Sequence, residues 1–214
     1  MWLQGLHERV PEITREQLSR HAVPDDESRE AAVLVLFGPG DTSEDLGKVL
    51  VVERSAHLKD HAGQPAFPGG RVEDTDESPT WTALREAQEE TGLDPDSVTV
   101  FGELPQLWLP PSRFRVTPIL GWWHSPHTLD APDSQETQAI HQLALDRLAD
   151  PQHRVRVRTR SGFLGPAFEI DSLVIWGFTG ALLSSLLDLG GWARDWDTGR
   201  VVDIDIPGEM NGSS

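Results

Sequence analysis

Residues 69–93 read GGRVEDTDESPTWTALREAQEETGL and combine a diglycine with an acidic segment that has helix signals at both ends. Ser78 is a good helix N-cap, and Pro79 follows it at the first helical position, where proline is favoured. Gly92 stands where a helix commonly ends in a left-handed C-cap. The spacing therefore predicts a helix over residues 79–91.

The predicted helix concentrates three carboxylates on one edge. Glu86 and Glu90 are four residues apart and share a face, and Glu89 is three residues from Glu86. Like charges at this spacing destabilise an isolated helix, and a bound cation relieves that cost. Hard oxygen ligands suit Mg²⁺ or Mn²⁺. An acidic run alone is more often a solvated face, but the preceding Gly69-Gly70 lets the backbone approach a metal or phosphate closely and favours a functional site.

The flanking sequence mixes apolar strands with helical segments. Strands are predicted over residues 31–37, 49–53, 98–101 and 116–123, a hairpin over 154–160 and 167–170, a loop over 61–70, and helices over 138–148 and 173–187. Pro118 predicts that its strand lies at an edge or a bulge. The pattern predicts an α/β fold in which a mixed β-sheet is sandwiched between α-helices.

Length and composition narrow the organisation and the classes of function. The 214 residues suit one domain over 31–206, with a helical arm over 1–30 and a disordered tail over 207–214. The net charge of −17 argues against nucleic-acid binding, and the lack of cysteine excludes disulfides, thiolate zinc sites and Cys nucleophiles. With neither a signal-peptide pattern nor a membrane-spanning run, the expected location is the cytoplasm.

From Glu77 to Leu93 the chain resembles the Nudix hydrolases. Their box has Gly, five residues, Glu, seven residues, and then Arg-Glu-aliphatic-any-Glu-Glu-any-Gly-aliphatic, and residues 77–93 fit it at every named position. Six residues instead of five separate Gly70 from Glu77. That extra residue is also similar to one Nudix branch, the coenzyme A pyrophosphatases.

A second signature of that branch lies upstream. It has two aliphatics, Thr, any residue, Arg-Ser, three residues, Arg, three residues, Gly, three residues and Phe-Pro-Gly-Gly. At the same spacings this chain has Leu50-Val51-Val52-Glu53-Arg54-Ser55, Lys59, Gly63 and Phe67-Pro68-Gly69-Gly70, with Val52 in place of Thr and Lys59 in place of Arg. Trp176-Gly177 near a C-terminal helix also looks like this branch.

The resemblance implies a role for each residue of the box. Glu86 and Glu90 are implied as the principal metal ligands, Glu89 as a further ligand or organiser, and a backbone carbonyl near Gly69-Gly70 as another. Arg85 is implied to pair with Glu77 and to fix the loop against the helix, with direct phosphate binding as the alternative. The implied cofactor is Mg²⁺ or Mn²⁺, and the implied reaction is attack of water on one phosphorus of a diphosphate.

Other residues are candidates for the chemistry and for substrate contact. A general base is expected among Glu89, Glu136 and Glu103, of which Glu89 is favoured. The substrate phosphates are expected to contact Arg54, Lys59 and His61, although His57 and His61 suit surface positions equally well.

Arginines and tryptophans outside these motifs allow two interpretations. Residues 154, 156, 158 and 160 are all Arg and share one strand face. The stripe suits an exposed face paired with Asp and Glu better than a site for an anionic ligand or for the partner subunit of a homodimer. Trp81 and Trp176 are predicted in the core, and Trp108 suits simple packing better than stacking on an adenine.

Three functions remain open. The first is a coenzyme A pyrophosphatase that yields 3′,5′-ADP and 4′-phosphopantetheine. The second is a Nudix hydrolase for another small nucleotide, such as ADP-ribose, a dinucleotide or a nucleoside triphosphate. The third is a Nudix-fold ligand-binding regulator without catalysis, which predicts a degraded carboxylate set. Here Glu77, Glu86, Glu89 and Glu90 are all present. No membrane or nucleic-acid partner is expected.

Overall fold

The computed structural model describes residues 2–24, 29–55, 63–110, 112–130 and 136–205. Within these ranges the α-helices are α1 (Gln4–Arg9), α2 (Arg15–Leu18), α3 (Pro79–Thr91), α4 (Leu145–Ala149) and α5 (Gly177–Leu189). The first strands are β1 (Arg29–Gly38), β2 (Lys48–Arg54), β3 (Pro65–Ala66), β4 (Gly69–Arg71), β5 (Val98–Glu103) and β6 (Leu107–Leu109). The later strands are β7 (Phe114–Trp123), β8 (Thr137–Ala144), β9 (Arg154–Thr159), β10 (Leu164–Ile170), β11 (Leu173–Ile175) and β12 (Val201–Ile204).

The larger sheet is mixed. Its main path runs β3-β2-β1-β7-β5, and β4, β6 and β8 pair with β1, β7 and β2. Strands β1 and β2, both predicted from their apolar runs, form an antiparallel hairpin with Phe37 opposite Val49. Strand β1 runs parallel to β7, with Leu34 opposite Ile119.

Helices cover both faces of this sheet. On one face Ala87 of α3 packs with Leu34 of β1. On the other face Leu6 of α1 and Leu182 of α5 join Val35 of β1 in a second core. The predicted architecture, a mixed sheet between helices, is confirmed.

A smaller sheet continues the fold at the C-terminal end. Its order is β11-β10-β9-β12. Strands β9 and β10 form the predicted antiparallel hairpin, and β12 runs parallel to β9. Helix α5 packs against β10.

Of the two positions predicted for the Pro118 strand, the edge is wrong, because β7 is an interior strand. The pairing of β7 with β5 does have a register irregularity, between Val100 and Gly102, which lie opposite Gly121 and Leu120. On the side of β7 away from β1, β5 ends opposite Ile119 and β6 begins opposite Val116. The Pro118 carbonyl accepts the Leu104 amide at 2.9 Å on that side. The N–H that proline lacks therefore falls at the break between two partner strands, where no ladder bond is lost.

Two predicted helices are partly strands. Residues 137–144 form β8, which pairs antiparallel with β2, and helix α4 starts only at Leu145. Cross-strand pairing outweighs the helix propensity of the Ala, Gln and Leu residues here. In the same way, the first residues of the helix predicted over 173–187 form strand β11, and helix α5 begins only at Gly177. The predicted loop over 61–70 holds the short strand β3 and the start of β4.

The N-terminal segment is helical, and it packs into the fold. Its apolar side chains Leu3, Leu6, Ile13 and Leu18 are buried in the core. The predicted tail over 207–214 lies outside the described residues. Among the helices of the described ranges, none combines the length and the apolar character needed to span a membrane.

The prediction that both tryptophans lie in the core is wrong for Trp81. Trp81 is 41% exposed and packs over the Arg85 guanidinium, 5.7 Å from the ring centroid. Trp176 is half-buried and packs edge-on against Phe163.

The outer half of the arginine stripe is an ion-paired surface. Arg158 pairs with Asp203 and Arg160 with Asp205, each at 2.7 Å. The expected pairing of an exposed face with nearby aspartates is confirmed for these two arginines.

Arg154, at the other end of the stripe, is an interior residue. It is 1% exposed, and its guanidinium donates to the Ser184 hydroxyl at 2.7 Å. The guanidinium lies 4.8 Å from the ring centroids of both Phe168 and Trp196. Burial lowers the pKa of Arg154. The Arg154 guanidinium is therefore held mainly by cation–π packing against these two rings.

Arg85 fastens the loop that precedes α3 to the helix. Its Nε and Nη2 donate to the Asp76 carboxylate at 3.2 and 3.1 Å, and Nη2 also donates to the Arg71 carbonyl at 3.3 Å. The Asp76 side chain is fully buried and accepts the Thr82 hydroxyl at 2.7 Å. The hydrogen bond from Arg85 lowers the pKa of Asp76 to about 2. The implied pairing of Arg85 with Glu77 is wrong, since Glu77 is exposed and Asp76 is the partner.

We expect Asp76→Asn to lower the free energy of unfolding at pH 7 by about 1.5–3 kcal/mol, because Arg85 loses a charge-assisted partner. Glu77→Gln, which removes an exposed carboxylate next door, is the matched control and should stay within about 0.5 kcal/mol of wild type. Urea unfolding gives both values. Equal losses in the two variants would contradict the assignment of Asp76 as the fastening residue.

The effect of Asp76→Asn should depend on pH. The folded-state pKa of Asp76 is about 2, below its ordinary value of 3.8. The carboxylate therefore contributes its full stability above about pH 5 and loses it as pH falls through 4 toward 2. The gap between the wild-type and Asp76→Asn unfolding curves should narrow across that window and should be constant from pH 6 to 8.

We expect Arg154→Met to leave the free energy of unfolding within about 1 kcal/mol of wild type, because Met keeps the length of the packed stem and replaces a buried charge. Arg154→Ala should lose about 2–4 kcal/mol through the cavity between Phe168 and Trp196. Thermal and urea unfolding of both variants would measure this difference. Equal damage would show that the charge itself stabilises this region.

Candidate active site

The two ends of α3 fix the orientation of its acidic edge. The Ser78 hydroxyl accepts the Trp81 amide at 3.2 Å, which confirms the predicted N-cap. Gly92 has φ +68°, and its amide donates to the Gln88 carbonyl at 2.8 Å, as the predicted C-cap requires. The three carboxylates therefore lie on one well-ordered helix.

Glu90 is the buried member of the three. It is 5% exposed, and its Oε2 accepts the Gly69 amide at 3.0 Å. Gly69 has φ +155°, and a Cβ there would collide with the Ala32 carbonyl of β1. Only glycine fits, because the strand lies between β1 and the helix. Burial raises the pKa of Glu90 to about 7.

Glu86 lies against the second glycine. A Cβ on Gly70 would collide with the Glu86 carboxylate, so the backbone of β4 touches this side chain directly. Burial raises the pKa of Glu86, and the adjacent Arg85 acts in the opposite direction. The predicted close approach of the diglycine to the acidic edge is thus present.

Four carboxylates line one cavity of about 120 Å³: Glu86, Glu89, Glu90 and Glu136. Glu136 directly precedes β8, and its carbonyl accepts the Ser55 amide at 2.8 Å. The structure brings together the three helix residues and Glu136. Glu103 is an exposed residue at the end of β5 and is not among the lining residues, so its candidacy as a base is not supported.

Two arginines contact these carboxylates. Arg85 lies 2.9 Å from Glu86 and 3.1 Å from Glu89, and Arg54 Nη1 lies 3.8 Å from Glu90 Oε1. In the described ranges, no three acidic or imidazole side chains already converge closely enough to chelate an ion. The two guanidinium groups lie beside the carboxylates of Glu86, Glu89 and Glu90.

The remaining residues considered for substrate contact are His57, Lys59, His61 and Trp108. The first three lie outside the described residues. Trp108 is half-buried in β6 opposite Arg115 of β7 and does not line the cavity.

The sequence did not single out Asp76 or assign Ser55 a role. For Asp76 a signal exists, since an acidic residue two positions before an N-cap stands beside the first helical turn. For Ser55, which acts through its backbone amide, the side chain gives no signal.

Comparison with known proteins agrees with this geometry. The NUDIX domain family model matches residues 27–159. The chain is 31% identical over 182 residues to Nudix hydrolase 3 of Caenorhabditis elegans, covering 77% of this chain and 75% of that protein. It is 42% identical over 132 residues to the "Uncharacterized Nudix hydrolase NudL" of Pectobacterium atrosepticum, covering 61% of this chain and 65% of that relative. The match thus spans just under two thirds of the NudL protein.

A solved structure shows the same fold. RenU, a Nudix hydrolase from M. smegmatis, superposes with a TM-score of 0.53 at 19% identity, covering 79% of this chain and 90% of that one. At this identity the likeness concerns the fold alone. The family match over residues 27–159 and the 31% identity to Nudix hydrolase 3 show that this chain belongs to the Nudix family.

Proposed function

We propose that this protein is a divalent-metal-dependent hydrolase that cleaves a phosphoanhydride bond in a nucleotide. The observation that carries this proposal is the cavity whose lining is four carboxylates, one of them buried against a backbone amide. A cluster of like charges with a buried member is costly without a cation. The arrangement therefore fits a positive centre that recruits the phosphates of an anionic substrate.

The donor set fits Mg²⁺ or Mn²⁺. Glu86 and Glu90 would hold the ion, with Glu89 and a backbone carbonyl at Gly69-Gly70 completing the set of hard oxygen ligands. When bound, the ion neutralises phosphate oxygens and activates water. The protein's own contribution is to fix the helix edge against β4, so that the ligands are oriented before the ion arrives.

Glu136 is the better candidate for the general base. Glu89 is engaged by Arg85 at 3.1 Å, whereas Glu136 reaches the cavity from β8, across from the helix. In the proposed step a water oxygen forms a bond to phosphorus, the bridging P–O bond breaks, and the water proton passes to the Glu136 carboxylate. The leaving phosphate keeps the electron pair of the broken bond.

We further propose coenzyme A or an acyl derivative as the substrate, with 3′,5′-ADP and 4′-phosphopantetheine as products. Support comes from the signature between Leu50 and Gly70 and from its position in the fold. Arg54 of that signature faces Glu90, and Ser55 holds Glu136 beside the cavity. Val52, the position that departs from the signature, is a core residue with 1% exposure, so its change from Thr affects packing first.

The metal role can be tested with one carboxylate. We expect Glu90→Gln to lower kcat by a factor of about 10²–10³ with the fold retained, because a ligand charge is removed from the cation site. Glu44→Gln, an exposed carboxylate in the β1–β2 turn, is the control and should turn over at the wild-type rate. If Glu90→Gln keeps more than about a tenth of the wild-type rate, Glu90 is not a principal ligand.

The substrate can be tested by removing one phosphate from it. We expect coenzyme A to be cleaved faster than 3′-dephospho-coenzyme A by about tenfold to a hundredfold in kcat/KM, since a charge-assisted contact is worth about 1.5–3 kcal/mol. ADP-ribose and nucleoside triphosphates at equal Mg²⁺ complete the panel. If ADP-ribose is cleaved faster than coenzyme A, coenzyme A is not the preferred substrate. If no compound of the panel is cleaved, the protein is better explained as a nucleotide-binding protein without catalysis.

A further inference from the structure

Arg54 and Glu90 form a contact that differs from the other ion pairs of the site. Oε2 of Glu90 is occupied by the Gly69 amide at 3.0 Å. Oε1 is the oxygen that faces Arg54, at 3.8 Å from Nη1. The Glu90 side chain is 6% exposed and the Arg54 side chain 29% exposed. One end of the pair is thus buried and fixed, and the other reaches solvent.

The backbone of Arg54 is held in place by backbone pairing on both sides. Its amide donates to the Gln64 carbonyl at 3.2 Å, and its carbonyl accepts the Gly63 amide at 3.0 Å. On the opposite side Arg54 pairs with Thr137 at the start of β8. Any rearrangement of Arg54 is therefore confined to its side chain.

Arg85 provides the contrast. Its guanidinium is bound to the buried Asp76 carboxylate and to the Arg71 carbonyl, and its side chain is 14% exposed. Moving Arg85 would leave Asp76 buried without its partner, which is strongly unfavourable. The ion pair of Arg54 with Glu90, at 3.8 Å, is longer than the contacts that hold Arg85.

We propose that Arg54 is a displaceable counter-ion of Glu90. It neutralises the buried carboxylate when the site is free of metal, gives up Oε1 to the incoming divalent cation, and then turns its guanidinium to a phosphate of the substrate. The inference rests on the metal site proposed above. Two cations beside one carboxylate oxygen repel each other, so metal and guanidinium compete for Oε1. A planar guanidinium matches phosphate oxygens, which gives the displaced group a partner.

The test measures metal affinity without substrate. We expect Arg54→Gln to bind Mn²⁺ about three- to tenfold more tightly than wild type by calorimetric titration, because the competing cation is gone. Arg54→Lys keeps the charge and should bind Mn²⁺ within about twofold of wild type. Arg71→Gln removes one exposed positive charge from neighbouring β4 and serves as the matched control, with a change below about twofold.

A second measurement separates this role from a structural one. With coenzyme A as substrate and saturating Mn²⁺, Arg54→Gln should raise KM by about tenfold or more while it tightens metal binding. Damage to the site would weaken both. Arg54→Ala repeats both measurements if the Gln variant does not fold.

The outcomes distinguish this inference from the function beneath it. Weaker or unchanged Mn²⁺ affinity in Arg54→Gln, or equal tightening in Arg71→Gln, overturns the counter-ion role and leaves the metal site intact. If Glu90→Gln binds Mn²⁺ as wild type does, the metal site itself is overturned.

Discussion

The close approach of strand β4 to helix α3 is the constraint on which the site depends. The Gly69 amide reaches the Glu90 carboxylate at 3.0 Å, and the Gly70 backbone touches Glu86. A Cβ at position 69 would collide with the β1 backbone, so glycine is needed there, and a Cβ at position 70 would displace the Glu86 carboxylate. The cavity follows from this packing, because the strand holds the carboxylates of Glu86 and Glu90 at one end of the sheet.

The carboxylates at the contact between β4 and α3 repel one another, and two arginines offset this repulsion. It has a net charge of −17, and the acidic edge of α3 adds like charges in a partly buried place. Arg85 compensates permanently, through Asp76 and the Arg71 carbonyl, and so ties the preceding loop to the helix. Arg54 approaches Glu90 at 3.8 Å, and its side chain is 29% exposed. Arg85 is thus fixed by Asp76, whereas Arg54 is the cation that we propose to be displaceable.

Local signals predicted the parts of the fold that are set locally. Helix α3 has its caps at Ser78 and Gly92 because capping depends on neighbouring backbone groups. Strand β8 was predicted as a helix because its pairing with β2 is a long-range interaction that propensity does not contain. The interior position of Pro118 required a break between two other strands, which only the assembled sheet shows.

The family pattern alone did not identify the partner of Arg85, which is Asp76 and not Glu77 in this chain. The loop between Gly70 and Glu77 is one residue longer than in the general box. In this loop the Asp76 side chain is fully buried against Arg85 and Thr82, whereas Glu77 is exposed. The box therefore located the helix edge and its arginine correctly, whereas the register of the loop had to be read from the fold.

The same reasoning applies to the upstream signature. The backbone of Ser55 carries Glu136, and Phe67 is 3% exposed in the core, so much of that pattern builds the walls of the cavity. Of its described residues, Arg54 is the one whose charged group reaches both the buried carboxylate and solvent, which is why we propose that substrate recognition and metal binding meet at that side chain.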